Sequence, residues 1–141
     1  MMPEREGGQL VLLVDDNETN LDILSAFVTH AGRGCVLARS GAEAVALAGV
    51  QHFDMILMDI QMPGMDGIEA ARRIREIPGR RGQVPIAALT AYAHAENTVI
   101  CREAGMCGVI TKPLDFNTLA AVLEQFMPSG SLCLLDPDGT A

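Results

Sequence analysis

The chain has 141 residues, of which 49% are hydrophobic, and a net charge of −8. These totals suit one globular domain with a real core, and the acidic excess argues against binding to a phosphate backbone. No apolar run approaches the roughly 20 residues of a membrane span, and the N-terminus lacks a signal-peptide core. We therefore expect a cytoplasmic protein that contacts neither nucleic acid nor membrane.

Short apolar runs alternate with amphipathic segments along the chain. The predicted strands cover residues 10–15, 35–39, 54–59, 84–89 and 108–111, and the predicted helices cover 18–31, 41–50, 67–77, 95–104 and 115–126. Nearly continuous apolar strands are typical of a parallel sheet covered on both faces. The alternation predicts a doubly wound α/β fold with right-handed crossovers. Residues 1–8 and 128–141 lie outside this pattern, and we expect an N-terminal extension and a C-terminal tail or linker.

Several helix starts carry capping signals. Ser40 with Glu43 forms a capping-box pattern, and Asp66 with Glu69 repeats it. Asp115 is a candidate N-cap for the last helix. That helix has apolar residues spaced for one buried stripe, namely Leu119, Val122, Leu123 and Phe126.

Polar residues follow four of the apolar runs. Asp15 and Asp16 end the first, Asp59 ends the third, and Thr90 and Lys112 follow the fourth and fifth. The carboxyl ends of parallel strands share one edge of the sheet, where open α/β folds place their sites. Two unit charges about 4 Å apart repel by roughly 4 kcal/mol at an effective dielectric near 20. Lysine and a divalent cation would offset this repulsion, and oxygen ligands favour Mg²⁺.

Three stretches carry a family resemblance. They read Val-Asp-Asp-Asn-Glu-Thr-Asn at 14–20, Met-Asp-Ile-Gln-Met-Pro-Gly-Met-Asp-Gly at 58–67 and Ala-Leu-Thr-Ala-Tyr-Ala at 88–93. Over about residues 9–127 the chain resembles the receiver domain of two-component response regulators, most of all receivers attached to hybrid sensor histidine kinases. The resemblance implies a flavodoxin-like (βα)5 fold with strand order 2-1-3-4-5.

The resemblance also implies a role for each strand-end residue. Asp59 would be the nucleophile that takes a phosphoryl group from a phosphohistidine of a histidine kinase or a histidine phosphotransfer domain. Lys112, the Thr90 hydroxyl and the backbone N–H of Ala91 would hold the phosphoryl oxygens. Pro113 would follow a cis peptide bond that aims the lysine inward.

The same resemblance implies a Mg²⁺ site. Asp16 would bind the ion directly, Asp15 would hold a metal-bound water, and Asp59 and the backbone carbonyl of Gln61 would complete the protein ligands. Gln61 and Tyr92 would also flank the path of the hydrolytic water, where a large Tyr92 could shield the phosphoryl group. Val109 stands where many receivers carry an aromatic switch residue, so we expect a phosphate-passing role rather than a strong output switch.

The first helix has two apolar stripes. Leu21, Leu24 and Val28 form the predicted core stripe. The second stripe, displaced by about 100° around the helix, could widen the core or form an exposed patch where a phosphohistidine partner docks. It consists of Asn20, Ile23 and Phe27.

Two other functions fit parts of the pattern. A degenerate receiver would serve only as a protein-binding module, although the complete acidic set and Lys112 argue against this. A Mg²⁺-dependent aspartyl phosphatase of the haloacid-dehalogenase type would need an acid two residues after Asp59, where Gln61 stands. A dinucleotide site would need a G-x-G-x-x-G after the first strand, which is missing.

The sequence leaves open whether the chain is part of a hybrid kinase or a free-standing relay protein, and its oligomeric state.

Overall fold

A computed structural model describes residues 9–62, 64–91, 95–112 and 115–126, with the side chains of 95–97 and 126 left aside. Within these ranges the chain forms five strands, β1 Leu10–Val14, β2 Gly34–Ala38, β3 Met55–Asp59, β4 Ile86–Thr90 and β5 Gly108–Thr111. The helices are α1 Glu18–His30, α2 Gly41–Val50, α3 Gly67–Arg75, α4 Ala95–Glu103 and α5 Phe116–Phe126, with a 3₁₀ helix at Arg80–Gln83. No helix in the described ranges is long and apolar enough to span a membrane.

The strands form one parallel sheet in the order β2-β1-β3-β4-β5. This confirms the predicted α/β class and strand order. Because every strand runs in the same direction, the residues that follow β1, β3, β4 and β5 meet at one edge. The opposite edge holds the strand starts and the ends of the helices.

Each face of the sheet has its own core. Alternate residues of a strand point to opposite faces, so Leu12 and Val14 of β1 join one core while Val11 and Leu13 join the other. The first core packs against α2, α3 and α4, and the second packs against α1 and α5. The strands are therefore buried on both sides, which explains their nearly continuous apolar sequences.

Most helix starts are capped as predicted. The backbone N–H of Glu43 donates to the Ser40 hydroxyl at 3.1 Å, and that of Glu69 donates to the Asp66 carboxylate at 2.9 Å. The Thr118 N–H donates to Asp115 at 2.7 Å. These contacts satisfy backbone donors that have no partner within the helix. Of the last helix's predicted stripe, Leu119 and Leu123 are buried and Val122 packs against them, while the Phe126 side chain lies outside the described atoms.

Some predicted boundaries were wrong by one or two residues. The fourth strand begins at Ile86 rather than 84, because Pro85 has no N–H to donate to a ladder. The third helix ends at Arg75 rather than 77, where short-range bonds such as Ile77 N–H to the Ile74 carbonyl tighten the last turn. The sequence analysis also missed the short 3₁₀ helix at Arg80–Gln83.

Candidate functional site

Three carboxylates converge at the carboxyl edge of the sheet. Asp15, Asp16 and Asp59 each place one carboxylate oxygen within 4.8 Å of the others. Asp15 and Asp59 are buried, whereas Asp16 is exposed. The carboxyl ends of β1 and β3 thus bring together the acidic residues that the sequence placed there.

Local backbone turns hold the two buried carboxylates. The N–H of Asn17 donates to Asp15 at 2.9 Å, and the N–H of Gln61 donates to Asp59 at 3.0 Å. In both turns an aspartate side chain accepts from the backbone two residues ahead, a turn that aspartate favours. The turn also fixes each carboxylate at the strand end.

The Lys112 ammonium lies between the two buried carboxylates. Its Nζ is 3.3 Å from Asp15 Oδ2 and 3.4 Å from Asp59 Oδ2. The Lys112 N–H donates to the Thr90 carbonyl at 2.7 Å, which fixes the end of β5 beside the end of β4. A single cation therefore offsets part of the repulsion between two buried anions.

Burial raises the pKa of the Asp59 carboxyl above its ordinary value. The Gln61 N–H and the Lys112 ammonium act in the opposite direction, and the Asp15 carboxylate adds to the increase. A carboxylate with poor solvation and a like-charged neighbour gains most from a further cation. The oxygens of Asp15, Asp16 and Asp59 could hold such a cation.

Asn20 has a role that the sequence analysis missed. It was predicted only as part of a docking stripe, yet its Nδ2 donates to Asp15 Oδ2 at 3.3 Å. Asn20 is the third residue of helix α1, whose N-cap is Asn17. A short polar residue in the first turn of a helix beside an acidic strand end is the signal that could have identified this contact.

Thr90 and Ala91 lie where the sequence placed them, at the end of β4. Thr90 is fully buried, and Ala91 is exposed and lines the same cavity as Asp15 and Lys112. Gly67, at the start of α3, packs against the backbone of Asp59 and Ile60. The loop after β3 can bring the start of α3 this close to the end of the strand only because Gly67 has no Cβ.

An apolar cavity of about 340 Å³ opens beside the acidic residues. It is lined by Asp15, Asn20, Ile23, Leu24, Leu89, Ala91 and Lys112. Ile23 is 46% exposed, whereas Phe27 is half-buried and its ring lies 5.8 Å from the ring of Phe116, edge to face. Each of the two hypotheses for the second stripe therefore holds for one residue. Ile23 is exposed, as an exposed patch requires, whereas Phe27 widens the core.

Two of the predicted site residues, Tyr92 and Pro113, lie outside the described residues. The peptide bond before Pro113 and the shielding role of Tyr92 stay predictions. Val109 packs partly buried against the first core and lines a cavity of about 30 Å³ with Cys101 and Met106.

The protein is therefore a flavodoxin-like α/β protein with three carboxylates and one lysine at the carboxyl edge of its sheet. The profile of a family described as "Response regulator receiver domain" matches residues 11–124. The chain belongs to this family.

Similar proteins include sensor kinases. The chain is 38% identical over 122 residues to the signal transduction histidine-protein kinase BarA of Shigella flexneri, and 40% identical over 118 residues to the sensor protein GacS of Pseudomonas syringae pv. syringae. The matches cover 86% and 82% of this chain. The chain spans only 13% of the length of each of these relatives.

Solved structures of receivers have the same fold. The receiver domain of the sensor histidine kinase PA1611 from Pseudomonas aeruginosa PAO1 superimposes with a TM-score of 0.79 at 37% identity, covering 86% of this chain and 99% of that one. That structure has a magnesium ion coordinated in its active-site cleft. The chemotaxis protein CheY4 of Vibrio cholerae has a TM-score of 0.80 at 30% identity, with 85% and 99% covered.

Proposed function

We propose that this chain is a phosphoacceptor in a two-component phosphorelay, with Asp59 as the accepting residue. The observation that carries the proposal is the Lys112 ammonium held between the buried Asp15 and Asp59 carboxylates, at 3.3 and 3.4 Å. An ammonium in this position can leave one carboxylate and pair with an incoming anion. Family membership and the likeness to receivers of sensor kinases support the same function.

In the proposed reaction a carboxylate oxygen of Asp59 attacks phosphorus. The bond between phosphorus and the imidazole nitrogen of a phosphohistidine breaks, and an O–P bond forms. The electron pair leaves with the imidazole, which then takes a proton from solvent, and Asp59 carries an acyl phosphate. Because phosphoryl transfer needs mainly positioning and charge stabilisation, the residues around Asp59 carry most of the catalysis.

The donor set fits Mg²⁺. Asp15, Asp16 and Asp59 present oxygens within 4.8 Å of one another, and hard oxygen ligands are those that Mg²⁺ prefers. In this proposal these three residues and the Gln61 carbonyl would hold the ion, with Asp15 acting through water. The bound ion would supply positive charge to the phosphoryl oxygens and relieve the repulsion among the carboxylates.

The remaining site residues act on the phosphoryl group. Lys112 pairs with one of its oxygens, while the Thr90 hydroxyl and the Ala91 N–H donate to the others. Thr90 ends β4, next to β3, and is aligned with Thr111 in the sheet, and Ala91 follows it directly. Donors fixed at neighbouring strand ends need little rearrangement when charge develops, which is the arrangement that stabilises a transition state best.

The proposed donor is a histidine kinase or a histidine phosphotransfer domain, and the proposed location of the chain is the cytoplasm. It would dock on the flank formed by α1 and the apolar cavity, where Asn20, Ile23 and Phe27 lie. Ile23 is the exposed apolar residue of this flank, beside the acidic pocket. Such a surface can receive the apolar face of a helix that carries the phosphohistidine.

The test is phosphorylation with acetyl phosphate and Mg²⁺, followed by measurement of the intact mass. We expect one added phosphoryl group, stable in acid and labile in base, and none in Asp59→Asn. Asp22→Asn, on an exposed part of α1, is the matched control and should label normally. Equal labelling of Asp59→Asn and the parent chain would disprove the assignment, and an unlabelled parent chain would favour a protein-binding module.

A further inference from the structure

The arginines of this acidic protein are concentrated at one place. Five of its ten lysines and arginines lie between residues 72 and 81, although the net charge of the chain is −8. Arg73 pairs with Glu69, and Arg75 is used internally, donating to the carbonyls of Gly82 and Gly105. The other three have no carboxylate partner among the described residues and are exposed, namely Arg72, Arg80 and Arg81.

Two adjoining cavities lie beside Arg80 and Arg81, at the edge of the sheet opposite the acidic pocket. They have volumes of about 530 and 210 Å³ and share His52, Asp54 and Arg80. The larger is completed by Pro78, Gly79 and Arg81, and we call it the cationic groove. Its Asp54 carboxylate is already engaged, because it accepts the Leu10 N–H at 2.7 Å. Val50, two residues before His52, is 76% exposed and adds an apolar surface nearby.

A chain of contacts connects the last helix to this groove. Glu124, near the end of α5, pairs with Arg33 at 3.2 Å, and the Arg33 Nε donates to Gln9 at 2.9 Å. Gln9 precedes Leu10, whose N–H is held by Asp54 of the groove. The chain therefore leaves α5 at the same edge of the sheet as the cationic groove.

The segment that follows α5 has the complementary chemistry. Residues 128–141 contain two aspartates, Asp136 and Asp138, no lysine or arginine, and the apolar run Leu-Cys-Leu-Leu at 132–135. The ten residues from 127 to 136 can span at most about 35 Å, more than twice the radius of gyration of about 14 Å expected for a domain of this size.

We propose that the C-terminal segment 128–141 docks in the cationic groove of its own chain, with Asp136 and Asp138 paired with Arg80 and Arg81. The apolar run would cover Val50 and the prolines at the rim. Guanidinium groups bind carboxylates in a bidentate geometry, which favours arginine over lysine at such a site. A tethered segment acts at an effective concentration of about millimolar, so individually weak ion pairs suffice.

The experiment uses the full chain and a charge reversal on each side. Arg80→Glu with Arg81→Glu, or Asp136→Arg with Asp138→Arg, should free the segment, and the fourfold variant should restore docking. We expect a positive ¹⁵N heteronuclear NOE at residue 138 in the parent and fourfold chains and a negative value in each one-sided reversal. The amide signals of His52 and Gly79 should shift in the one-sided variants, while those of Asp16 and Gln61 should not.

Arg102→Glu is the matched control, because Arg102 is also exposed and lies on α4, outside the groove. It should leave the NOE at residue 138 positive.

In about 1 M salt, where the Debye length is about 3 Å, the parent segment should become mobile. A negative NOE in the parent chain at low salt would overturn the proposal. A second test adds a polyglutamate peptide or a single-stranded oligonucleotide to the parent chain and to the Asp136→Arg, Asp138→Arg chain. Groove signals that shift equally in both chains would also overturn the proposal, because the groove of the parent chain would then be free for another partner.

Discussion

At the scale of single residues, Lys112 is the charge that the acidic pocket depends on. It lies within 3.4 Å of both buried carboxylates, so it would compete with a divalent cation bound at the same oxygens. We expect Lys112→Ala to bind Mg²⁺ at least several-fold more tightly, because the competing charge is gone, yet to label more slowly with acetyl phosphate. Calorimetric Mg²⁺ titration and a labelling time course measure the two effects, with Arg102→Ala as the control. Weaker Mg²⁺ binding in Lys112→Ala would contradict this account.

Gly67 is a second residue whose effect can be predicted. A Cβ at this position would lie 2.7 Å from the Ile60 Cα and closer still to the Asp59 carbonyl. Because backbone atoms cannot yield as a flexible side chain does, we expect Gly67→Ala to lower the free energy of unfolding by about 1–3 kcal/mol. It should also slow labelling, since the loop that holds Asp59 must move.

Gly49 provides the control for that substitution. It lies in α2, and an added Cβ would meet nothing within 4 Å. Gly49→Ala should therefore raise the free energy of unfolding, by at most about 0.5–1 kcal/mol because Gly49 lies in the last turn of α2 rather than in its interior. Urea unfolding of both variants measures the difference. Equal stability of the two variants would show that the backbone around Asp59 accommodates a side chain.

At the scale of secondary-structure elements, the fold could be predicted because local and long-range signals agree. The continuous apolar strands could only be buried on both faces, and the caps at Ser40, Asp66 and Asp115 marked three helix starts. Element ends were less accurate where tertiary contacts decide them. The 3₁₀ helix at Arg80–Gln83 is held partly by Arg75, which donates to the Gly82 carbonyl, and a contact with a backbone carbonyl leaves no pattern in the sequence.

For the candidate site, the sequence predicted which residues meet but not all of their contacts. Carboxylates at the ends of two buried strands had to meet, since parallel strands share an edge. The contact of Asn20 with Asp15 was missed because periodicity assigns a residue to a helix face but does not say what lies above the first turn. The different surroundings of Ile23 and Phe27 depended on where Phe116 lies, which only the packing of α5 on α1 shows.

Helix α1 allows a test of partner docking. Ile23 is exposed on the cavity beside the acidic pocket, whereas Leu24 on the same helix is buried. We expect Ile23→Glu to slow phosphoryl transfer from the cognate phosphohistidine partner by about tenfold, the loss that follows when roughly 1.4 kcal/mol of binding is removed. Labelling with acetyl phosphate should be unchanged. Asp22→Asn, on the same helix, is the control, and equal losses with both donors in Ile23→Glu would point to damaged folding instead.

At the scale of the whole molecule, the proposed phosphorylation of Asp59 would change the structure only as far as the surrounding contacts transmit it. A ligand shifts a conformational equilibrium only through contacts that differ between the two states. The resemblance to receivers implies that Val109 stands where many of them carry an aromatic ring that can turn inward, and valine has one stiff χ1 and no ring. The cavity beside it is only about 30 Å³, room for about two waters, so no large group can move into it without displacing α4.

We therefore expect weak coupling between Asp59 and the face formed by α4, β5 and α5. Amide spectra of the chain with and without beryllofluoride and Mg²⁺ test this expectation, because beryllofluoride mimics the phosphoryl group. Shifts should be large at Asp16, Gln61 and Ala91 and small at Ile110, Leu119 and Leu123. Val109→Tyr is the informative variant, since a ring restored at this position should enlarge the shifts along β5 and α5. Shifts in the parent chain as large on α5 as in the acidic loops would contradict a phosphate-passing role and indicate that another residue transmits the change.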